Sequence, residues 1–391
     1  MSDIQADQSR RTSSYETTQS THLRVQFLIG TDTFLVAPLL PLLTERFGNP
    51  GNRAGWMISA YAIGYCVTAL FSGPVSDRFD RKHVLCIGML GFSLATTACG
   101  IAWSFPSMIA LRFLAGVTAA IGSPQVWAAI PQLVPKNYVV KAMAAPTLGL
   151  TVAQIAGVPI GSFLATRSTS DLFYAVGTVS LLATIALSIW FPSVKPTGEH
   201  SHLSQQYMTL LHTRHALPRF AAYLVFQTGN FAVMSFIATW LSKDFQLNTQ
   251  GIGMVMIALG AGNTLGALIG PRIVGHIGQW PVLFLSMGGY VIAYLLLPLG
   301  TVLAIPVMIL TCTYFIGGVL FPVFMNLLQS LTTTARGTVS ALANVLMYLG
   351  STIAGIIGGP LLSTLPGFWS ISILATITTI GSALLWKHST Q

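Results

Sequence analysis

Long apolar stretches, most of about twenty residues, alternate with short polar or Gly- and Pro-containing breaks along this chain. An α-helix crosses the apolar core of a bilayer with roughly 20 residues, and all its backbone groups bond within the helix. Only 7% of the 391 residues are charged, whereas soluble domains carry about 25%, so a water-soluble core is excluded. The sequence therefore predicts an all-α membrane protein with twelve transmembrane helices, near residues 24–44, 54–75, 83–103, 107–131, 138–166, 171–192, 219–243, 250–271, 281–301, 305–331, 336–363 and 367–387.

The basic residues are unevenly distributed between the two sets of connections. Of the 19 Lys and Arg residues, fourteen fall on the side of the N-terminus, four fall in the opposite loops, and Arg112 lies inside the fourth predicted helix. Cytoplasmic segments of membrane proteins are enriched in Lys and Arg. We therefore expect a multi-pass protein of a bacterial inner membrane with both termini in the cytoplasm. The formal net charge of +9 then reflects orientation, and we expect no nucleic-acid partner.

Residues 193–218 form the longest internal break and divide the chain into two halves of six helices, 24–192 and 219–387. Polar residues 1–23 are expected to be a disordered cytoplasmic segment, and 388–391 a short tail. The halves repeat weakly: Ile155-Ala-Gly157 recurs as Ile353-Ala-Gly355, and Phe113-Leu-Ala-Gly-Val117 resembles Phe315-Ile-Gly-Gly-Val319. Duplicated halves around a central cavity are typical of transporters.

Asp32 is the only carboxylate well inside a predicted helix, with apolar residues on both sides. An ionisable group in hydrocarbon is costly and is found where it faces a cavity, a partner or a transported species. We interpret Asp32 as a residue that takes up and releases a proton. The alternative is a local hydrogen bond through Thr31 or Thr33 without titration.

Arg112 is the natural partner of Asp32, but the predicted helix ends leave their pairing open. Counted along the two helices at about 1.5 Å per residue, the backbones of Asp32 and Arg112 differ by roughly 10 Å in depth. A direct ion pair is one interpretation. The other is an Arg that satisfies backbone carbonyls and stiffens the bundle.

The loop after the second predicted helix reads Gly73-Pro-Val-Ser-Asp77-Arg78-Phe-Asp80-Arg81-Lys82-His-Val-Leu85. It resembles the signature loop of the major facilitator superfamily, Gly-x-x-x-Asp-Arg-x-Gly-Arg-Lys/Arg-x-x-Leu, with Asp80 in place of the second Gly. The resemblance implies two pseudo-symmetric six-helix bundles around a central cavity. It also implies a conformational latch formed by Gly73, Asp77, Arg78, Arg81 and Lys82. The alternative is that these charges only anchor the loop at the cytoplasmic face.

Three further segments look like the twelve-helix drug:proton antiporter branch of that superfamily. Pro38-Leu-Leu-Pro41 matches its Pro-x-x-Pro pattern, and Leu111-Arg112-Phe-Leu-Ala-Gly116 is similar to the motif whose Arg is linked with proton transfer. The segment Gly149–Gly161 resembles the antiporter motif Gly-x(7)-Gly-Pro-x-x-Gly, except that Val158 separates Gly157 from Pro159. Sugar- and purine-efflux relatives share most of this pattern.

The superfamily fold implies a cavity lined by the first, fourth, seventh and tenth helices. Met and aromatic residues there would suit a greasy ligand, although the same residues are common in helix packing. The cavity candidates are Gln26, Thr31, Phe34, Gln125, Trp127, Gln227, Asn230, Phe231, Met234, Trp240, Tyr314, Phe315, Phe321 and Asn326. Candidates for helix packing and gating are Gly149, Gly157, Pro159, Gly161, Gly355, Gly359 and Pro360.

The resemblance implies proton-coupled efflux of small amphiphilic or drug-like molecules by alternating access. The expected partners are the small-molecule substrate, protons and the lipid bilayer, and the protein is expected to be a monomer. The proton gradient supplies the energy, so no cofactor is expected, and the four cysteines and four linker histidines lack metal-ligand spacing. No Walker loop or nucleophile elbow occurs, so we expect no enzyme activity. The alternatives are efflux of a sugar, nucleobase or other metabolite, and a proton-independent facilitator or lipid flippase.

Overall fold

The computed structural model describes residues 2–48, 53–76, 79–133, 144–194, 208, 210, 212–332 and 336–389. Every regular element in these ranges is helical. The helices are α1 (Ser2–Arg46), α2 (Trp56–Ser76), α3 (Arg81–Gly100), α4 (Phe105–Leu133), α5 (α-helical Ala144–Val152, a π-helical turn Ala153–Gly157 and α-helical Val158–Ala165), α6 (Thr169–Trp190), α7 (Ala216–Asp244), α8 (Thr249–Ile277), α9 (Gln279–Leu296, followed by the 3-10 turn Leu297–Leu299), α10 (Ala304–Gln329), α11 (Arg336–Leu362) and α12 (Trp369–His388).

The lengths and composition of these helices are those of membrane spans. Eleven of them are long and apolar enough to cross a membrane, and the apolar stretch described in α2, Trp56–Ser72, is shorter. The predicted fold class, an all-α membrane protein with twelve helices, is confirmed. The predicted ends agree closely for the eleventh helix, placed at 336–363 and observed at Arg336–Leu362.

Helix α1 begins at Ser2, well before the membrane-spanning part Leu23–Arg46. This differs from the prediction that residues 1–23 are disordered. Residues 2–22 contain neither Gly nor Pro. Adding a residue to an existing helix gains one hydrogen bond without a new nucleation cost, so the polar segment can continue the helix of the first span.

The two halves pack their helices through matching glycines. A Cβ on Gly64 of α2 would collide with the carbonyl of Phe113 in α4, and a Cβ on Gly266 of α8 would collide with the carbonyl of Phe315 in α10. Helices in lipid associate through close packing and are brought together by small residues. The weak repeat around Phe113 and Phe315 therefore corresponds to the same contact in each bundle.

Two buried apolar clusters organise the molecule. One runs through both bundles and joins Leu39 of α1 to Phe236 of α7. The buried members of the other, around Leu28 and Phe92, all belong to the N-terminal bundle. The bundles are therefore joined by a continuous core near the end where α1 connects to α2 and α7 connects to α8. We call this end the closed end.

Candidate functional site

Asp32 of α1 and Arg112 of α4 form a buried ion pair. The Nη1 atom of Arg112 donates to both carboxylate oxygens, at 2.9 Å to Oδ1 and 2.7 Å to Oδ2. The two side chains are 2% and 1% exposed. The long Arg side chain closes the difference in depth that the helix ends had suggested. Because each buried ion loses its hydration, either charge alone would be strongly unfavourable, and each is held in place by the other.

Tyr61 of α2 completes this cluster. The Arg112 guanidinium lies 4.6 Å from the centre of the Tyr61 ring, within the range of a cation–π contact. The Tyr61 hydroxyl is hydrogen-bonded to Thr33 Oγ1 at 3.0 Å, and Thr33 also donates to the Ile29 carbonyl at 2.7 Å. Thus three helices fix the position of the guanidinium.

Arg112 also lines a cavity between the bundles. This Arg112 cavity has about 410 Å³ of empty space, open solvent included, and its walls are Thr33, Phe34, Ala37, Ile58, Tyr61, Ala62, Arg112, Phe231, Met234, Ser235, Tyr348 and Ser351. Asp32 does not line it, so the guanidinium lies between the carboxylate and the cavity. A ligand bound in this cavity therefore meets the Arg112 guanidinium and not the Asp32 carboxylate.

A second cavity, with about 350 Å³ of empty space that includes open solvent, shares Phe34, Ala37 and Met234 with the first. We call it the Tyr314 cavity. Its remaining walls are Pro38, Gln154, Val158, Met256, Leu259, Gly260 and Tyr314. The two cavities are thus neighbours, one with hydroxyls and a guanidinium in its wall and the other mostly apolar.

Four of the predicted cavity residues, Phe34, Phe231, Met234 and Tyr314, line these two cavities. The candidates in the N-terminal bundle that do not line them make contacts within that bundle. Gln26 donates to Ser123 Oγ at 3.1 Å, and Thr31 donates to the Phe27 carbonyl at 2.7 Å. Trp127 packs against the N-terminal core cluster.

The remaining candidates in the C-terminal bundle also lie outside both cavities. Gln227 donates to the Tyr223 hydroxyl at 2.9 Å, and Asn230 accepts from the Tyr294 hydroxyl at 3.5 Å. These two amides are therefore engaged within the bundle. The other four candidates do not line either cavity. Trp240 Nε1 donates a hydrogen bond to Asp244 Oδ2, Phe315 packs on the core, and Phe321 and Asn326 are exposed.

At the closed end, aromatic and polar contacts join α2 to α11. The rings of Tyr65 and Tyr348 are stacked, and Tyr348 also contacts Tyr61 at a centroid distance of 6.5 Å. Ser59 Oγ donates to the Thr352 carbonyl at 2.8 Å. These contacts cross the boundary between the bundles immediately beside the Arg112 cavity.

Glycines let the same two helices touch at the backbone. A Cβ on Gly55 would collide with the carbonyl of Gly355 and would lie 2.7 Å from the Phe236 ring. Of the predicted gating residues in α11, Gly355 therefore lies at the bundle boundary. Gly359 is buried and Pro360 is exposed near the C-terminal end of α11.

A second line of contact between the bundles joins α5 to α8. Asn263 Nδ2 donates to Gln154 Oε1 at 3.2 Å, and Gln154 belongs to the π-helical turn of α5. A Cβ on Gly253 of α8 would lie 3.6 Å from Cα of Pro159, so the predicted gating residue Pro159 faces the other bundle. π turns occur frequently at functional sites.

The predicted glycines of α5 contact α1 within the N-terminal bundle. A Cβ on Gly157 would meet the side chain of Thr31, a Cβ on Gly161 would meet that of Leu35, and Gly149 lies against the same helix. They allow close packing beside the helix that carries Asp32, and they do not lie at the boundary between the bundles.

The predicted latch is described only in part. Asp77 and Arg78 lie outside the described residues, as does the side-chain environment of Gly73. Arg81 Nη1 donates to Gln125 Oε1 of α4 at 3.2 Å. The Lys82 backbone N–H donates to Asp80 Oδ1 at 2.8 Å, which caps α3.

Asp80, where the superfamily signature has Gly, ties this loop to the end of α6. Its carboxylate accepts from the Ser193 hydroxyl and from the Val194 backbone N–H, the latter at 3.0 Å, and the Arg81 N–H donates to the Val194 carbonyl at 3.1 Å. Partial burial disfavours the charged carboxylate, but these hydrogen bonds outweigh it and lower the pKa of Asp80.

The comparisons with known proteins agree with this architecture. The family model of the Major Facilitator Superfamily matches residues 24–355. The chain belongs to this superfamily.

Two relatives and one solved structure illustrate what this superfamily member is similar to. It is 40% identical to the uncharacterized MFS-type transporter YceJ of Bacillus subtilis strain 168, over 93% of this chain and 94% of that protein. It is 23% identical to the quinolone resistance protein NorA of Staphylococcus aureus strain MRSA252, over 86% and 87%. The crystal structure of a D-xylose-proton symporter superposes with a TM-score of 0.77 at 17% identity, covering 95% of this chain and 97% of that one.

The sequence did not identify several residues of this superfamily member's candidate site. Gln154 and Asn263 looked like ordinary polar residues of long helices. Tyr61 and Tyr65 are four residues apart in α2 and so share one helix face, which was the available signal. The second helix was not among those expected to line the cavity, so that signal was missed.

Proposed function

We propose that this protein is a proton-coupled antiporter that exports small amphiphilic or drug-like molecules across a bacterial inner membrane. The observation that carries the proposal is the buried Asp32–Arg112 pair with its guanidinium in the cavity wall. Both termini are assigned to the cytoplasm from the distribution of Lys and Arg.

The ion pair provides a proton site with two states. A proton that binds one Asp32 oxygen neutralises the carboxylate, and Nη1 of Arg112 then loses an ionic acceptor. When the proton leaves, the pair forms again. Because the two side chains belong to different helices, α1 and α4, protonation changes how these helices are held together. Substrate and proton exchange when they favour opposite conformations of the bundles.

The composition of the cavities supports an amphiphilic substrate. Their walls include Phe34, Phe231, Met234, Tyr348 and Tyr314, and Met and aromatic side chains adapt to varied apolar ligands. A sugar or nucleobase would be favoured by a wall of amides, yet Gln227 and Asn230 are bonded within their own bundle. The similarity to a quinolone resistance protein points in the same direction.

Alternating access requires the contacts at the closed end to separate. We assign this end to the outer face, so the present arrangement takes up substrate from the cytoplasmic side. Release outside then requires separation of α2 from α11 and of α5 from α8. The loop residues Arg81 and Lys82, together with Asp77 and Arg78, act at the opposite face as the latch of the outward-open state.

The test is uptake of radiolabelled chloramphenicol into proteoliposomes with an acidic interior. We expect accumulation driven by the pH gradient with the wild-type protein and loss of this dependence with Asp32→Asn. Because Arg112 then lacks its counter-charge, the Asp32→Asn/Arg112→Gln double variant is assayed beside it to separate loss of coupling from loss of folding. Asp171→Asn, at the start of α6 and away from both cavities, is the matched control.

Three outcomes would contradict the proposal. Equal gradient-driven uptake by Asp32→Asn would remove Asp32 from the mechanism. Equilibration by the wild type that ignores the gradient would favour a facilitator. Gradient-driven uptake of D-xylose in place of the drug would favour metabolite transport.

A further inference from the structure

The charges inside the membrane are few and are already paired. Among the acidic residues that the structure describes, Asp32 is the only one away from the ends of the membrane-spanning helices. Glu45 and Asp244 lie in last turns and Asp171 lies in a first turn. Both oxygens of Asp32 are bonded to Arg112 Nη1. The negative charge in the membrane interior is therefore engaged by a fixed cation.

The described walls of the two cavities contain no carboxylate. None of the described residues that line the Arg112 and Tyr314 cavities is acidic. The contribution of the C-terminal bundle to the Arg112 cavity consists of Phe231, Met234, Ser235, Tyr348 and Ser351. Among the described residues of both walls, the guanidinium is the only charged group, so a bound cation would meet a like charge before any carboxylate.

Two of the aromatic rings beside the guanidinium are also occupied. The ring of Tyr61 carries the Arg112 guanidinium at 4.6 Å, and the ring of Tyr348 is covered by Tyr65 at a centroid distance of 3.8 Å. Cation–π contacts require an accessible ring face. One face of each of these two rings is therefore unavailable to a ligand cation.

We propose that the cavity selects uncharged amphiphiles and discriminates against permanent cations, an inference that rests on the proposed function and narrows its substrate class. Burying an unpaired charge in a poorly hydrated site is costly. With the ion pair intact the site is neutral, and when Asp32 is protonated the uncompensated guanidinium makes it positive. An uncharged ligand avoids both penalties and can bond to the hydroxyls of Thr33, Ser235 and Ser351.

The test compares two ligands of similar size, uncharged triphenylphosphine oxide and the permanent cation methyltriphenylphosphonium. Equilibrium dialysis against the purified full-length protein in detergent measures both dissociation constants. We expect the phosphine oxide to bind at least roughly tenfold more tightly than the cation.

Two variants of one cavity residue test the cause. Met234→Glu adds a carboxylate to both cavities, giving Asp32, Arg112 and the new group a combined negative charge. We expect this variant to bind the phosphonium at least roughly tenfold more tightly than the wild type does, whereas the isosteric Met234→Gln does not.

Wild-type binding of the phosphonium as tight as that of the phosphine oxide would overturn the inference, and so would failure of Met234→Glu to gain cation binding. Either result leaves proton-coupled export intact. Conversely, gradient-driven transport that persists in Asp32→Asn would overturn the proposed function without changing the charge preference measured by dialysis.

Discussion

The ring of Tyr65 in α2 stacks on the ring of Tyr348 in α11, with centroids 3.8 Å apart and planes inclined by 23°. The two residues belong to different bundles, and the contact lies beside the cavity that Arg112 lines. An aromatic pair of this kind contributes about 0.5–1.5 kcal/mol beyond its buried area. The stack therefore biases the protein toward the conformation in which the closed end is packed.

Replacing Tyr65 by Ala is expected to lower the population of the closed arrangement by about 2- to 10-fold relative to the open one. Spin labels at Arg53→Cys and Leu365→Cys, in a Cys312→Ser background, report the separation at this end by double electron–electron resonance. Tyr65→Phe keeps the ring and should retain the wild-type distance distribution. Identical distributions for Tyr65→Ala and the wild type would show that the stack does not bias closure.

The ion pair predicts non-additive stability. Asp32→Asn and Arg112→Gln each leave one buried charge without its partner, and each should lower the free energy of unfolding by about 3–5 kcal/mol. The double variant removes both charges and should recover most of that loss. Denaturant unfolding of the purified protein measures all four forms of the cycle. Additive losses would indicate that the two side chains do not stabilise each other.

The close contact between Gly157 and Thr31 predicts that a change at Thr31 can restore the stability lost by a change at Gly157. A Cβ at this position would collide with the side chain of Thr31, and the three nearest atoms all belong to that residue. Gly157→Ala should therefore destabilise the protein by about 1–3 kcal/mol through overpacking. Adding Thr31→Ala removes the two closest atoms and should restore most of the melting temperature. If the double variant is no more stable than Gly157→Ala, the close contact between α1 and α5 is not the cause.

Asp80 predicts a pH dependence of stability. Its pKa is lowered in the folded protein by hydrogen bonds from Ser193, Val194 and Lys82. A carboxyl with a lowered folded pKa contributes stability above its ordinary pKa of about 3.9, and this contribution is lost as pH falls through the folded value. Asp80→Asn should therefore melt at a lower temperature than the wild type near neutral pH.

The difference between the melting temperatures of Asp80→Asn and the wild type should shrink as the pH falls below about 4. Glu45→Gln removes an exposed carboxylate and serves as the control, with little change at either pH. A pH-independent difference for Asp80→Asn would mean that its charged form is not the stabilising species.

Sequence reasoning succeeded where the pattern reports burial directly. Apolar length predicted the twelve helices, and an acid in hydrocarbon singled out Asp32, whose partner Arg112 was also placed well inside a predicted helix. Both conclusions follow from the cost of charge in lipid. They require no knowledge of which helix faces which.

Sequence reasoning was less informative about which face of each helix meets the cavity. Phe34 and Met234 line both cavities, but Gln26 and Gln227 bond within their own bundles. In a helix that is apolar on every side, composition alone does not indicate which face meets the other bundle. The contribution of α2 and α11, through Tyr61 and Tyr348, depends on how the two bundles meet in three dimensions.

The π-helical turn of α5 lies directly before Val158, where the sequence departs from the antiporter motif. In that turn the Val158 N–H donates to the Ala153 carbonyl, five residues earlier, so the turn holds one residue more than an α turn. An added residue in one turn rotates the rest of the helix by about 100°, and with this wider turn Pro159 faces α8 while Gly161 faces α1. Because Gly149, Gly157 and Gly161 keep the spacing of the antiporter motif, an alignment without a gap leaves all three glycines in register and places Val158 where the motif has Pro.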